Sequence, residues 1–190
     1  MLDLFAHDQA RDDQLILVDG LDRPCGTASK MEAHRAGLLH RAFSVVLVRQ
    51  GSTGPELLLS RRAKGKYHSA GLWANSCCSH PRVGEQVVEA AYRRVQEELG
   101  LQAQGLEEIG AFAYRAVFEN GLTEYEYDHV LVGACTGELC PDPTEIADTR
   151  WVAQDVLAQE LADRPQAFAA WAYMVLSLAL AHLCPGAGPV

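Results

Sequence analysis

The sequence contains few cysteines, fewer basic than acidic residues, and only a short apolar tail. Six cysteines among 190 residues are too few for a disulfide scaffold. Lys and Arg total 16 against 25 Asp and Glu, a net charge of −9 that argues against a nucleic-acid partner, because nucleic-acid-binding surfaces usually carry clustered basic residues. The apolar tail at 171–183 is too short for a membrane span, and we predict a buried C-terminal helix there.

The first residues lack the basic segment and apolar run of a secretory signal peptide. We therefore expect a cytoplasmic protein with no membrane partner. Residues 1–13 are polar and acidic, and we expect them to be loose. With 48% hydrophobic residues, no internal repeat and no low-complexity stretch, the chain is expected to form one globular domain.

Local patterns place strands and helices along the whole chain. The Asn-Gly pair at 120–121 predicts a hairpin turn, and Ser29 with Glu32 has the form of a capping box that opens a short helix. A turn is expected at 23–26 and a helix over 84–100. The other predicted elements are strands at 15–18, 42–48, 56–62, 106–119, 122–135 and 149–152, and helices at about 153–161 and 166–183. This order is typical of a mixed α/β (α+β) domain with antiparallel hairpins.

The stretch at 71–100 joins a loop rich in thiol and imidazole groups to an amphipathic helix. The adjacent Cys77 and Cys78 lack the spacing of a Cys-x₂-Cys zinc site. On a helical wheel Glu98 lies at the edge of the apolar face, where a carboxylate needs a cation to offset its loss of hydration. A metal ion is a good candidate for that cation, and a solvated surface charge, which we expect of Glu97, is the alternative.

Acidic side chains alternate with tyrosines at 124–128, so that Glu124, Glu126 and Asp128 share one face of a strand. Three carboxylates on one face repel one another, which favours a bound cation over an exposed edge strand. Histidines could complete an octahedral site for Mn²⁺, Mg²⁺ or Zn²⁺. The histidines considered as ligands are His34, His40 and His80, whereas His7, His68, His129 and His182 are expected to be structural or surface residues.

Basic residues cluster just before the thiol loop, at Arg61, Arg62, Lys64 and Lys66, with Lys30 further upstream. A solvated run of charges is one explanation. In a chain this acidic, a basic cluster beside the thiol loop also indicates capture of phosphate oxygens.

Taken together, these residues resemble type 1 isopentenyl-diphosphate Δ-isomerase, a branch of the Nudix superfamily. The resemblance runs from about Asp19 to Met174. The motifs that carry it are Asn-Ser-Cys-Cys-Ser-His-Pro at 75–81, Arg-Arg-x-x-Glu-Glu-Leu-Gly at 93–100, Phe-Ala-Tyr-Arg at 112–115, Glu-x-Glu at 124–126, and Trp171. The resemblance implies a Nudix-type mixed sheet sandwiched between helices, with a core at about 38–175, an N-terminal extension and C-terminal helices.

The resemblance also implies an activity, the interconversion of isopentenyl and dimethylallyl diphosphate by protonation and deprotonation of the alkene. It implies that Cys78 is the catalytic thiol and that Glu126, Tyr114 and Trp171 complete the catalytic group. We expect Cys77 only to pack, because its side chain should point away from that of Cys78 in an extended segment. By the same match, the ligands of a first divalent ion are His34, His40, His80, Glu124 and Glu126; Glu98 accompanies a Mg²⁺ that arrives with the diphosphate; and Lys30, Arg62 and Lys66 clamp the diphosphate.

The chemistry of the alkene explains these residue types. Protonation creates a tertiary cation, so the site needs a proton donor, a proton acceptor, an aromatic face and a pocket that excludes water. Two other functions are considered, a Nudix diphosphohydrolase and a catalytically silent binding module. Arg94 replaces a carboxylate of the general Nudix motif and Ser79 replaces its first glycine, and the lost carboxylate argues against hydrolysis. We expect a monomer or a weak homodimer.

Overall fold

The structure is a computed structural model that describes residues 14–183. The strands of this part of the chain are β1 (Gln14–Val18), β2 (Pro24–Ser29), β3 (His40–Gln50), β4 (Pro55–Arg62), β5 (Trp73–Ala74), β6 (Cys77–Ser79), β7 (Gln102–Val117), β8 (Thr123–Thr136) and β9 (Ile146–Ala153). The helices are α1 (Lys30–Ala36), α2 (Val87–Leu99), α3 (Gln154–Asp163) and α4 (Ala172–Leu183), with a 3-10 turn at Pro165–Ala167. The expectation for residues 1–13 lies outside the described residues.

Strand β3 is the axis of the sheet. It runs parallel to β8, with His40 opposite Glu126, and antiparallel to β6, with Ser44 opposite Cys78. It also pairs with β4 and with β1. One strand therefore brings together the histidine, thiol and carboxylate segments that are far apart in the sequence.

The hairpin of β7 and β8 confirms the Asn-Gly turn. Gly121 has a φ of 81°, and the Phe118 amide donates to the Leu122 carbonyl at 2.9 Å. The pairing that follows from this turn puts Tyr114 opposite Glu126. Because register is fixed by the turn, a slip of one residue would move the carboxylates to the other face.

Two apolar cores lie on opposite faces of the sheet, as the alternation along β3 requires. Val45 and Leu47 pack in the core that contains residues of α2, whereas Val46 packs in the core that contains residues of α3 and α4. The predicted sandwich of a mixed sheet between helices is confirmed. Each fully buried side chain of this kind contributes roughly 1.5–3 kcal/mol.

Two element predictions need correction. Residues from Pro24 form a strand because the turn comes earlier, where the Asp19 carboxylate accepts from the amides of Leu21 and Arg23. The last helix begins at Ala172 instead of 166. Phe168 forms an isolated β-bridge with Trp73, and the Ala169 amide donates a hydrogen bond to the Trp73 carbonyl, so this segment is not helical. This extended segment carries Trp171 into the interior.

The short helix α1 starts as predicted, with the Ser29 hydroxyl accepting from the Glu32 amide at 3.3 Å. Within residues 14–183, no helix combines the length and apolar character that a bilayer crossing demands.

Candidate active site

The thiol of Cys78 is held by a fixed set of hydrogen bonds. The Asn75 amide donates its N–H groups to the carbonyls of Val45 and Cys77, at 3.1 and 3.0 Å, which turns its Oδ1 toward the thiol. Cys78 Sγ donates to that oxygen at 3.0 Å, and Trp171 Nε1 donates to Sγ at 3.1 Å. The Ser44 hydroxyl oxygen also lies 3.5 Å from Sγ. The sulfur is therefore positioned by three neighbours.

The two adjacent cysteines face opposite sides of the sheet. Cys77 is buried in the core against α2, whereas Cys78 packs against the core of α3 and α4 and lines the pocket. Burial raises the pKa of both thiols above the ordinary range, so that both are neutral near pH 7. Of the pair, Cys78 is the thiol that a substrate can reach.

Three histidines and two glutamates lie close together at the start of β3. His40 and His80 Nε2 lie 3.5 and 3.0 Å from Glu126 Oε1. His34 and His40 have ring centroids 5.2 Å apart. The structure thus brings together all five residues expected to bind the first metal, on α1, β3, β8 and the loop after β6: His34, His40, His80, Glu124 and Glu126.

Hydrogen bonds fix the tautomers of two of these histidines. His34 Nδ1 lies 2.6 Å from the Lys30 carbonyl, and His40 Nδ1 lies 2.8 Å from the Leu38 carbonyl. Because a carbonyl can only accept, each Nδ1 carries a hydrogen, and Nε2 is the nitrogen left to bind another group; that of His34 lies 3.4 Å from the Tyr67 hydroxyl. Burial lowers the pKa of His34 to about 4 and that of His80 to about 3, which keeps these two imidazoles neutral, whereas Glu126 outweighs burial and raises the pKa of His40.

These residues fit a divalent metal ion. His40 Nε2 is buried without a hydrogen-bond partner, and its ligand atom lies within 4.8 Å of those of His34 and Glu126. Neutral imidazole and carboxylate oxygen together are a donor set for ions such as Zn²⁺ and Mn²⁺. Two buried carboxylates side by side also need positive charge to offset their desolvation.

A phenol bridges the two glutamates. The Tyr114 hydroxyl lies 2.5 Å from Glu126 Oε2 and 3.0 Å from Glu124 Oε2. Burial and the charge of Glu126 raise the pKa of Glu124 to about 8. Burial acts in the same direction on Glu126, but the nearby imidazoles of His40 and His80 outweigh it and hold its pKa low.

The pocket above the thiol has a volume of about 530 Å³ and a basic rim. Lys30, Arg62 and Lys66 all line it, as the sequence predicts, and Arg94 lines it as well. Lys66 forms an ion pair with Glu145, a pocket residue that no sequence motif predicted. The other members of the basic cluster lie elsewhere: Arg61 pairs with Asp148, and Lys64 is exposed.

Glu98 is buried, as its wheel position predicts, but in this structure its cation is an arginine. Arg94, one turn earlier on α2, contacts Glu98 Oε1 through its Nε at 3.1 Å. This is the i, i+4 spacing at which helical side chains meet. Burial raises the pKa of Glu98, and Arg94 opposes that shift. The expectation that Glu98 binds Mg²⁺ stays a prediction.

Two histidines that the sequence analysis did not consider as ligands have carboxylate partners in the structure. His68 is buried, with its Nε2 2.9 Å from Glu124 Oε1. His129 pairs with Asp22 at 3.1 Å and with Glu108 at 2.9 Å. Neither partner is close in sequence, so local pattern could not reveal these contacts.

The third carboxylate of β8 is also buried. Asp128 accepts a hydrogen bond from Ser44 at 2.8 Å, and Ser44 in turn contacts Cys78. Burial, and after it the charge of Glu126, raise the pKa of Asp128. The alternation of acids along the strand predicted the shared face, but not the link to the thiol.

The fold and the site define a class of protein. Residues 38–172 match the family model of the NUDIX domain. The crystal structure of DR0079 from Deinococcus radiodurans superposes with a TM-score of 0.68 at 20% identity, covering 86% of this chain and 97% of that one. A MutT NUDIX hydrolase from Burkholderia pseudomallei superposes with a TM-score of 0.58 at 22% identity, covering 74% and 97% of the two chains. At these identities the likeness shows the fold.

Sequence relatives narrow the class. The isopentenyl-diphosphate Delta-isomerase of Photobacterium profundum is 45% identical over 174 residues, which are 90% of this chain and 97% of that protein. The protein of the same name from Burkholderia multivorans is 45% identical over 168 residues, 88% and 93% of the two chains. The chain therefore belongs to the isopentenyl-diphosphate Delta-isomerase family of NUDIX-domain proteins.

Proposed function

We propose that this protein interconverts isopentenyl diphosphate and dimethylallyl diphosphate by moving a proton on and off the alkene. The observation that carries the proposal is one pocket lined by the thiol of Cys78, the carboxylate of Glu126 and a basic rim. A thiol and a carboxylate are the two proton-exchanging groups that such a transposition needs. The family to which the chain belongs supports the same reaction.

The basic rim holds the diphosphate. Lys30, Arg62 and Lys66 come from α1, β4 and the loop that follows β4, and converge on one pocket. Ammonium and guanidinium groups form short, charge-assisted hydrogen bonds to phosphate oxygens. Anchoring the diphosphate at the rim directs the five-carbon tail toward Cys78 and Trp171.

Cys78 and the pair of Tyr114 and Glu126 exchange the protons. In one direction, the S–H bond breaks as its proton joins the terminal alkene carbon. A C–H bond of the methylene attached to the branched carbon then breaks, and its proton goes to the carboxylate–phenol pair. In the other direction these roles exchange. The N–H of Trp171, already directed at Sγ, stabilises the thiolate that forms.

Trp171 also serves the cation that develops on the substrate. Its indole is buried and fixed by hydrogen bonds to Asn75 and Cys78. An indole face stabilises a desolvated cation by about 2 kcal/mol or more. The same enclosed pocket excludes water, which would otherwise capture the cation as an alcohol.

The first metal site comprises His34, His40, His80, Glu124 and Glu126, with Mn²⁺, Mg²⁺ or Zn²⁺ as its ion. When bound, such an ion supplies positive charge that keeps the two glutamates ionised. A second ion, Mg²⁺ accompanying the diphosphate, would be held beside Glu98, where Arg94 now pairs with the carboxylate. We further propose a single-domain cytoplasmic protein, a monomer or a weak homodimer.

A direct assay tests the proposed reaction. Purified protein with isopentenyl diphosphate and Mg²⁺ should yield dimethylallyl diphosphate by chromatography, with no inorganic phosphate released. Release of phosphate or diphosphate without the isomer would instead support a Nudix hydrolase. The residue at position 94 argues against that outcome, because Arg94 stands where the general Nudix motif has a carboxylate.

A further inference from the structure

His68 packs beside the histidines and glutamates of the proposed metal site. Its ring stacks on Phe118 with centroids 4.4 Å apart and planes 9° apart, and its edge meets Trp171. Its Nδ1 lies 3.3 Å from the Ser69 hydroxyl. With one face stacked on Phe118 and Nδ1 beside Ser69, the ring presents Nε2 to Glu124.

That Nε2 lacks a hydrogen bond although an acceptor is close. It lies 2.9 Å from Glu124 Oε1 without a hydrogen-bonding angle. Within residues 14–183, the only other buried histidine nitrogen in this condition is Nε2 of His40, an expected metal ligand. The shared condition is the one expected of two nitrogens whose lone pairs point at a common ion.

The distance between His68 Nε2 and Glu124 Oε1 also fits two ligands of one ion. Two ligand atoms at about 2.1 Å from an octahedral ion, and at right angles to each other, lie about 3.0 Å apart. His68 Nε2 and Glu124 Oε1 are 2.9 Å apart, and His80 Nε2 and Glu126 Oε1 are 3.0 Å apart.

The geometry allows one ion in preference to two. The ligand atoms of His34, His68 and Glu124 lie within 4.8 Å of one another, as do those of His34, His40 and Glu126. His34 is common to both groups, and its Nδ1 is bound to the Lys30 carbonyl. Its single remaining nitrogen has one lone pair, which can bind one ion. A single ion bound by His34 would therefore take its other ligands from both groups.

We propose that His68 is a sixth protein ligand of the proposed metal site and closes its coordination sphere. The inference rests on the proposed site of His34, His40, His80, Glu124 and Glu126. Four imidazoles and two carboxylates fill an octahedron and leave no open position. A closed sphere is typical of an ion that orients protein groups, in this site the two glutamates, and does not touch the substrate.

A histidine that only supports Glu124 through a hydrogen bond would look similar, and metal binding distinguishes the two roles. The apoprotein is loaded with Co²⁺, and its affinity is measured by competition with a chelating dye. Loss of a supporting partner costs about 10–100-fold in metal affinity. His68→Ala should lose more than about 100-fold if a ligand is removed. His68→Gln, which could still donate to Glu124, should not recover it. His182→Ala, which removes an exposed histidine, should bind as the wild type does.

Proton NMR of the Co²⁺-loaded proteins then counts the ligands. Each imidazole bound through Nε2 gives a strongly shifted Nδ1–H signal that disappears in D₂O. The wild type should show one more such signal than His68→Ala and His68→Gln. Equal numbers, with affinity rescued by Gln, would overturn the role of His68 and leave the metal site intact. A wild-type protein that binds no Co²⁺ would overturn both proposals.

Discussion

At the scale of single residues, the site depends on which side chains face inward. Cys77 and Cys78 are neighbours in sequence, yet β6 sends one to the α2 core and the other to the pocket. A strand has a two-residue period, so this division follows from the backbone alone. Adjacent thiols provide a matched pair in which only one should matter for chemistry.

Cys78→Ala is expected to abolish isomerisation, because it removes the pocket thiol. Cys77→Ala should keep most activity and lose roughly 1 kcal/mol or less of unfolding free energy, since it removes one small buried side chain. Turnover and urea denaturation of both variants provide the measurements. An inactive Cys77→Ala beside an active Cys78→Ala would show that the two faces are assigned the wrong way round.

Metal binding should release a proton from Glu124 at pH 7. Burial and the nearby Glu126 raise the pKa of that carboxyl to about 8 without metal, so it is protonated below pH 8, whereas a ligand must be ionised. Affinity should rise with pH up to about 8 and then level off. His34 and His80, with pKa values of about 4 and 3, add nothing in this range.

Calorimetry in two buffers of different ionisation enthalpy measures that proton. The wild type should release about one more proton than Glu124→Gln at pH 7, and the difference should vanish at pH 9. Equal release from both proteins at pH 7 would contradict the raised pKa of Glu124.

At the scale of elements, helix α2 ends in a conformation that only glycine adopts without strain. Gly100 has a φ of 71°, and a Cβ added there would lie 2.9 Å from Cys140 Cβ. Its amide donates to the Gln96 carbonyl and closes the helix. Strand β7 begins two residues later, at Gln102.

Gly100→Ala should lower the free energy of unfolding by more than about 1 kcal/mol. It places a side chain on a residue with left-handed backbone angles, and the new Cβ clashes with Cys140. Gly105→Ala is the matched control. Gly105 has a φ of 59°, and no atom lies within 4 Å of an added Cβ, so only the strain is added. Urea denaturation compares them, and equal losses would show that the contact with Cys140 is not tight.

Elements governed by local chemistry could be predicted from the sequence. The Asn-Gly turn and the capping of α1 by Ser29 depend on residues within a few positions of each other. The start of α4 could not be predicted, because Phe168 is held in an extended form by Trp73, almost a hundred residues earlier. The burial of His68 likewise depends on Phe118, which the β7–β8 hairpin brings to it.

At the scale of the whole molecule, a sheet between two apolar cores supports a buried polar cluster. The motif resemblance predicted five ligands for the first metal, and the structure brings all five together. The motif did not predict the pairing of Arg94 with Glu98, or that of Lys66 with Glu145. Arg94 and Glu98 are one helical turn apart, so the sequence allowed their pairing, whereas Lys66 and Glu145 meet only in the folded chain.

Removal of metal should lower both activity and stability. Glu124 and Glu126 are buried side by side only in the folded chain, so a bound ion stabilises only the folded state. At 100 times the dissociation constant, an ion adds about 2.7 kcal/mol, or roughly 5–10 °C in Tm for a chain of this size. Turnover and thermal unfolding after verified chelation, and again after Mn²⁺ is restored, check this. Unchanged Tm and turnover would contradict the metal site.

The most direct test of the central claim is an NMR time course with isopentenyl diphosphate and Mg²⁺ in D₂O. Proton exchange through Cys78 and the Tyr114–Glu126 pair predicts that deuterium from the solvent enters dimethylallyl diphosphate while both phosphates stay attached. Cys78→Ala in the same experiment should leave the substrate unlabelled. Isomerisation without any deuterium, or unchanged substrate with the wild-type protein, would contradict the account.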